Sequence, residues 1–266
     1  MPEPTANNLP QPARTGPHGH QPVLLDAVLE FAAPVPGDVA LDCTIGRGGH
    51  AQAIARRIAP DGRLLGLDLD PANVAYAAER LADVGAPVDI RHGSFADVGE
   101  VLEQAGLDGV DVLLADLGFA STQMDDPARG LSFTVDGPLD MRLDPTQATT
   151  AAGLIAQTDE RALADLIFEF GEERLSRVIA RKIVETRRRA PITTTRQLAQ
   201  LCASAYGGRA SRQRIHPATR TFQALRIVVN DELGRLRALL ERLPAVMRRG
   251  GRVVVISFHS LEDRRV

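Results

Sequence analysis

Glycines 46, 48 and 49 interrupt the run Leu41-Asp42-Cys43-Thr44-Ile45-Gly46-Arg47-Gly48-Gly49-His50, directly after an apolar stretch and before a helix-forming one. Glycine has no Cβ, so a turn of this composition lets backbone come close to a nucleotide-like ligand. About twenty residues further on, Leu64-Leu65-Gly66-Leu67-Asp68 ends a second apolar run on an acid suited to holding a ribose. Phe95 follows the third run, where its ring packs on an adenine or simply fills the core, and Asp116 closes the fourth, facing a reacting centre or capping a helix. These residue types point to a nucleoside cofactor. By itself the G-x-G-x-x-A spacing fits both a dinucleotide and S-adenosylmethionine. A dinucleotide needs a helix N-terminus for its pyrophosphate, whereas S-adenosylmethionine has no phosphate and needs polar groups in a tight turn.

The elements that position these residues alternate. Residues 39–43, 64–68, 88–91 and 112–115 read as short buried parallel strands, and 51–58, 71–81 and 98–105 as the helices between them, with Pro71 after Asp70 as a helix start. That alternation predicts an α/β doubly wound, Rossmann-like sheet. From 125 to 220 the strand signal vanishes, and 151–155, 160–170, 172–189 and 195–206 read as helices, with Thr158 and Thr194 as caps. The expected division is a tail over 1–18, a sheet domain over 19–124 and 221–266, and an all-helical insertion over 125–220. One long helix over 222–247 and a strand over 252–258 return the chain to a five-stranded sheet.

Composition narrows the class. The 266 residues are 44% hydrophobic and 24% charged, the range of soluble globular proteins. No apolar run is long enough to span a bilayer, and the Pro-, Asn- and Gln-rich start lacks the apolar core of a signal peptide. Cys43 and Cys202 suggest neither a disulfide framework nor a zinc site, so a reducing cytoplasm is expected. The net charge of −3 hides an asymmetry: residues 174–226 hold twelve arginines and one lysine against a single acid. Ordinary surfaces intersperse the two signs, so this segment reads as a polyanion-binding surface.

Several stretches resemble the MraW proteins, the bacterial small-subunit ribosomal RNA methyltransferase H family. They include residues 20–25, the 42–50 turn, Asp116-Leu117-Gly118, 125–130, Asp136-Gly137-Pro138-Leu139-Asp140-Met141-Arg142, 170–174, 216–224 and 256–263. The resemblance implies a class I S-adenosylmethionine-dependent methyltransferase with a helical insertion, acting on N4 of a decoding-centre cytosine of 16S rRNA in the small ribosomal subunit. For the cofactor it implies Gly48, Gly49, His50, Asp68, Phe95, Asp116 and Gln123. Two departures stand out. Phe119-Ala120-Ser121-Thr122-Gln123 replaces the family's Val-Ser-Ser-Pro-Gln, and the family continues past the Leu-Glu-Asp motif with further strands. The chain therefore reads as a fragment or a reduced form.

The amino group of cytosine is a weak nucleophile because its lone pair is delocalised into the ring. A hydrogen-bond acceptor on its N–H bonds would help, and Asp116 is the leading candidate; Asp140 and Arg142 are weaker ones, set against a turn-holding ion pair. Alignment of nitrogen, methyl and sulfur supplies much of the catalysis, and neither a metal nor a membrane is required. Arg187, Arg188, Arg189, Arg209, Arg212, Arg214 and Arg220 are expected on RNA phosphates, and His216 in a turn before Pro217. The alternatives are a non-catalytic RNA-binding remnant and a NAD-dependent oxidoreductase.

Overall fold

Successive side chains of a strand point to opposite faces, so near-continuous apolar strands must be covered on both sides. The computed structural model describes residues 22–266; the expected tail, and His20 and Gln21, lie outside them. In chain order α1 (Leu25–Ala32), β1 (Val39–Asp42), α2 (Gly49–Ile58), β2 (Arg63–Asp68), α3 (Pro71–Arg80), β3 (Val88–His92), α4 (Val98–Gln104) and β4 (Val110–Asp116) alternate as expected. The short α5 (Ser121–Asp125) follows, then α6 (Ala151–Gln157), α7 (Glu160–Gly171), α8 (Ser176–Arg187) and α9 (Thr195–Tyr206). Next come α10 (Thr219–Asn230), α11 (Glu232–Val246), β5 (Met247–Ile256) and α12 (Ser260–Asp263).

All five strands are parallel in the order β3-β2-β1-β4-β5. The order reverses at β1, which sits between β2 and β4, and in open sheets of this kind ligands bind outside the carboxyl ends at that switch point. Ala40, Leu64, Val112 and Leu114 face α1, α2 and α3 through Val28, Ile54, Ile58 and Leu81. Leu41, Leu65, Leu113 and Ala115 face α4 and α11 through Val98, Leu102, Leu236 and Leu239.

The helical segment has its own core, in which Leu163, Ile167, Ile179, Ile183 and Leu198 meet Phe222 and Leu225 of α10. Here the structure corrects the sequence reading. The long helix expected over 222–247 is two helices, broken at Asp231, whose φ of 47° is left-handed. Asn and Asp tolerate that conformation better than most residues, and Gly234 leaves room for the Asp231 carboxylate. The cap of α7 is Asp159, which accepts from Ala162 N–H at 2.9 Å, while Thr158 donates to Leu154 O instead. Thr194 caps α9 as expected, in a reciprocal pair with Gln197. The last strand begins at Met247 and ends at Ile256, so Phe258 falls outside it.

Asn230 joins the helical core to the 141–143 turn. Its Oδ1 accepts from Leu143 N–H at 2.7 Å, and its Nδ2 donates to Met141 O at 2.8 Å and Arg226 O at 2.9 Å. Met141 is buried with φ at 65°, a conformation that persists only when its surroundings over-determine it. Asn230→Ala strands a buried N–H and a buried C=O, so urea unfolding should show a loss of about 2–4 kcal/mol.

Candidate functional site

The ends of β1, β2 and β4 are tied together by hydrogen bonds from the glycine turn. Ile45 N–H donates to Leu67 O at 2.8 Å, and Asp116 N–H donates to Thr44 Oγ1 at 2.7 Å. Gly46 N–H donates to Asp68 Oδ2 at 2.8 Å. Above these ends lies a cavity of about 460 Å³, lined among others by Gly46, Gly49, His50, Asp68, Phe95, Asp116 and Gln123. Six of the seven residues expected to hold the cofactor thus meet in one cavity. Gly48 is the exception: it caps α2 with a left-handed φ of 75°, and a Cβ there would touch Leu81 and Ala77 of the protein. Gly49 has a different reason as well, since a Cβ would lie 2.5 Å from Pro22 Cγ. Only at Gly46 does the missing side chain leave open space, with Thr44 O the nearest atom at 3.8 Å.

Asp68 is engaged on both oxygens. Besides Gly46 it accepts from Asp70 N–H at 2.8 Å and from Asn73 Nδ2 at 3.3 Å; burial pushes its carboxyl above the usual range while these hydrogen bonds pull it back. Phe95 is 9% exposed; it packs in the sheet core and also lines the cavity. Gln123 is buried, its Oε1 accepting from Ala120 N–H at 2.9 Å and its Nε2 donating to Asp70 Oδ2 at 2.8 Å. Asp116 caps no helix, because α5 starts five residues later after Ala120. Its Oδ2 lies 3.6 Å from Nε2 of the buried His50. Asp116 Oδ1 and both ring nitrogens of His50 are buried without a hydrogen-bond partner among the described residues. Three such atoms side by side at one cavity wall are donors and acceptors available to a bound ligand.

The turn's own N–H groups bear on the choice between the two cofactor chemistries. Gly46 N–H is taken by a carboxylate and Gly48 N–H by Ile45 O, so the turn does not offer these donors to a pyrophosphate. Asp68, Asp116, Glu232 and Glu262 line the cavity together with Arg47, Arg80 and Arg235, so groups of both signs face it.

Beyond Asp116 the cavity continues along residues to which the sequence reading assigned no role. Glu232, Arg235, Phe258 and Glu262 line it. Glu232, His259 and Glu262 place donor atoms within 4.8 Å of one another, but Arg226 already grips Glu232 with bonds of 2.7 and 2.8 Å. The sequence signal available was the His259-Ser260-Leu261-Glu262 spacing, which puts the two side chains on one helical turn.

Asp140 and Arg142 do not line this cavity. Arg142 binds Asp140 Oδ1 at 2.8 Å through Nε and Oδ2 at 2.7 Å through Nη2, and donates onward to Pro145 O and Gln147 O, so the pair staples a turn. That replaces the pocket role considered for them. Among the arginines, Arg187 points inward to Ile155 O and Thr158 O, which corrects its placement on RNA. Arg220 is partly buried and donates to Glu172 O at 3.0 Å. Arg188, Arg189, Arg209, Arg212 and Arg214 are exposed. His216 holds its turn as expected, accepting from Ala218 N–H at 3.1 Å and lying 4.5 Å from the Phe133 ring. Among the described residues no helix is long and apolar enough to cross a membrane.

The profile of the MraW methylase family matches residues 17–266. A protein from Trichlorobacter lovleyi described as ribosomal RNA small subunit methyltransferase H is 50% identical over 247 residues, covering 93% of this chain and 79% of its own. Proteins of the same description from Methylococcus capsulatus and Geobacter sulfurreducens are also 50% identical, over 91% and 93% of this chain and 80% and 79% of theirs.

Asp42 gives the site a measurable pH signature. It is fully buried beside His50, Asp116 and Asp68, and desolvation raises its carboxyl from 3.8 to about 7. The folded state therefore keeps a proton that the unfolded chain gives up. This contribution is complete below about pH 4 and is lost as pH rises through about 7. Between pH 5 and 7 it should cost on the order of 1 kcal/mol of stability per pH unit. Asp42→Asn keeps an oxygen for Thr44 N–H. Without cofactor, its Tm should exceed that of the wild type at pH 8, and the difference should shrink towards pH 5.

Proposed function

The chain belongs to the MraW methylase family, and from that premise we propose that it methylates N4 of a decoding-centre cytosine of 16S rRNA, within the small ribosomal subunit and in the cytoplasm. S-adenosylmethionine is its methyl donor, and supplies a methyl group already activated by the sulfonium charge. The observation that carries the reading is the unpartnered Asp116 Oδ1, beside the orphaned His50 nitrogens, where the two halves of the cavity meet.

His50, Asp68, Phe95 and Gln123, with Gly46 and Gly49 in the turn, are the cofactor-binding residues in this reading. Asp68 presents the remaining lone pairs of its carboxylate to ribose hydroxyls, and Phe95 its ring to the adenine. Asp68 and Asp116 would attract the cationic donor. Asp116 accepts a hydrogen bond from the cytosine amine, drawing its nitrogen towards a tetrahedral shape. As the N–C bond forms and the S–C bond breaks, the nitrogen sheds a proton along that bond. His50 Nε2 lies 3.6 Å from the other oxygen of Asp116, on the same wall of the cavity. The helical unit, expected over 125–220 and extended by α10, which packs into its core, is the RNA-binding part, with Arg188, Arg189, Arg209, Arg212 and Arg214 on phosphates. A base reacting in this cavity must first leave its stack.

Incubation with labelled S-adenosylmethionine and small subunits lacking the mark should transfer label to the RNA; cofactor binding without transfer would defeat the reading. Asp116→Asn should slow single-turnover transfer by about 100-fold or more. The Arg188→Ala, Arg189→Ala double variant should lower the slope of log K against log salt by roughly one unit or more. Arg187→Ala should leave that slope unchanged and lower the Tm.

A further inference from the structure

Phe258 is a large aromatic residue that is 58% exposed and lines the same cavity as Asp116. Its ring lies over Gly118, two residues past Asp116: a Cβ there would sit 3.5 Å from Phe258 Cδ2. Gly118 has φ at 102°, so both its conformation and its missing side chain keep this surface flat. The backbone at Phe258 is pinned, because its N–H donates to Glu262 Oε2 at 2.9 Å. Glu262 is almost fully buried, and its Oε1 lies 3.3 Å from His259 Nε2. The Arg226–Glu232 pair closes the cluster from α10 and α11. An exposed ring on a pinned backbone at a cavity mouth offers a flat apolar face to a planar ligand.

Resting on the methyltransferase reading above, we propose that Phe258 is the stacking platform for the acceptor base, held in place by Glu262, and that this half of the cavity takes an unpaired, amine-bearing base. Aromatic faces bind unstacked bases without needing a sequence. The lining supplies the choice among bases: Asp116 Oδ1 is the acceptor without a partner among the described residues, which suits the exocyclic amine of cytosine and opposes the carbonyl that uracil has in its place. Arg235 Nη1, buried without a hydrogen-bond partner among the described residues, is a donor in the same lining for the ring carbonyl. His259 Nε2 is likewise without a hydrogen-bond partner there. The two halves of the cavity thus separate by role, with the cofactor on the β1–β2 side and the base on the β4–β5 side.

Three measurements on wild type, Phe258→Ala and Phe258→Tyr test this. S-adenosylhomocysteine affinity by calorimetry should be the same for all three within about twofold. Methyl transfer to small subunits lacking the mark should fall roughly 5- to 100-fold in kcat/KM for Phe258→Ala, the range base stacking supports, and recover in Phe258→Tyr. A single-stranded RNA carrying the fluorescent analogue pyrrolocytosine at the target position should be quenched on binding by wild type and Phe258→Tyr but not by Phe258→Ala. Wild-type transfer rates in Phe258→Ala, a parallel loss of S-adenosylhomocysteine binding, or failure of tyrosine to rescue would overturn the proposal. If the wild type itself transfers no methyl group, the methyltransferase reading fails separately, and the quenching comparison still decides whether Phe258 stacks a base.

Discussion

Collecting carboxylates at neighbouring strand ends is electrostatically costly, because each loses water and faces the others across a short, poorly screened distance. Asp42, Asp68 and Asp116 end three adjacent strands of this sheet, and each is reconciled differently. Asp42 is buried deepest and holds a proton up to about pH 7. Asp68 is met by three N–H donors, from Gly46, Asp70 and Asn73. Asp116 keeps one oxygen without a partner among the described residues, at the wall of the cavity. The glycine turn owes its shape to the same constraint: it bends so that its own N–H reaches Asp68, and its conformation follows from the acid as much as from the ligand.

The sheet and the helical unit are locked to one another around this site. Asp70 receives Gln123 at 2.8 Å and Arg129 at 3.1 Å, and Arg129 donates onward to Leu143 O at 2.7 Å. Asn230 reaches the same 141–143 turn from α10. The helical unit is therefore coupled to the cavity through hydrogen bonds at its base, and such bonds hold position because leaving a buried one unmade is expensive.

Most of this was legible in the sequence for local reasons. Parallel strands buried on both faces announce themselves as apolar runs, and acids at their ends announce a ligand site, so Asp68, Asp116 and the turn were found from spacing alone. Arg187 was misread because a charge count cannot see that Ile155 O and Thr158 O wait on a neighbouring helix. The break at Asp231 was missed because apolar periodicity runs through it; only the Asn-Asp pair and Gly234 hinted at it. The Glu232–His259–Glu262 cluster was invisible because its members come from two elements that meet only in the fold.

The loop after β4 shows how a local departure can be absorbed by distant residues. The motif here has Thr122 where the resemblance leads one to expect a proline, and it opens on Phe119. In the fold, the Arg226 guanidinium lies 4.8 Å from the centre of the Phe119 ring while gripping Glu232 with two hydrogen bonds. A planar cation bound on its edge and stacked on its face has little freedom left, so the ring against it is held too. Rigidity that a proline would supply through its own backbone comes instead from a side chain on α10. The same guanidinium belongs to the cluster that backs Phe258, so the two loops bordering the base half of the cavity share one anchor. Loosening that anchor would disturb both walls together, and for that reason a lysine at position 226 is no substitute: it keeps the charge but loses the plane.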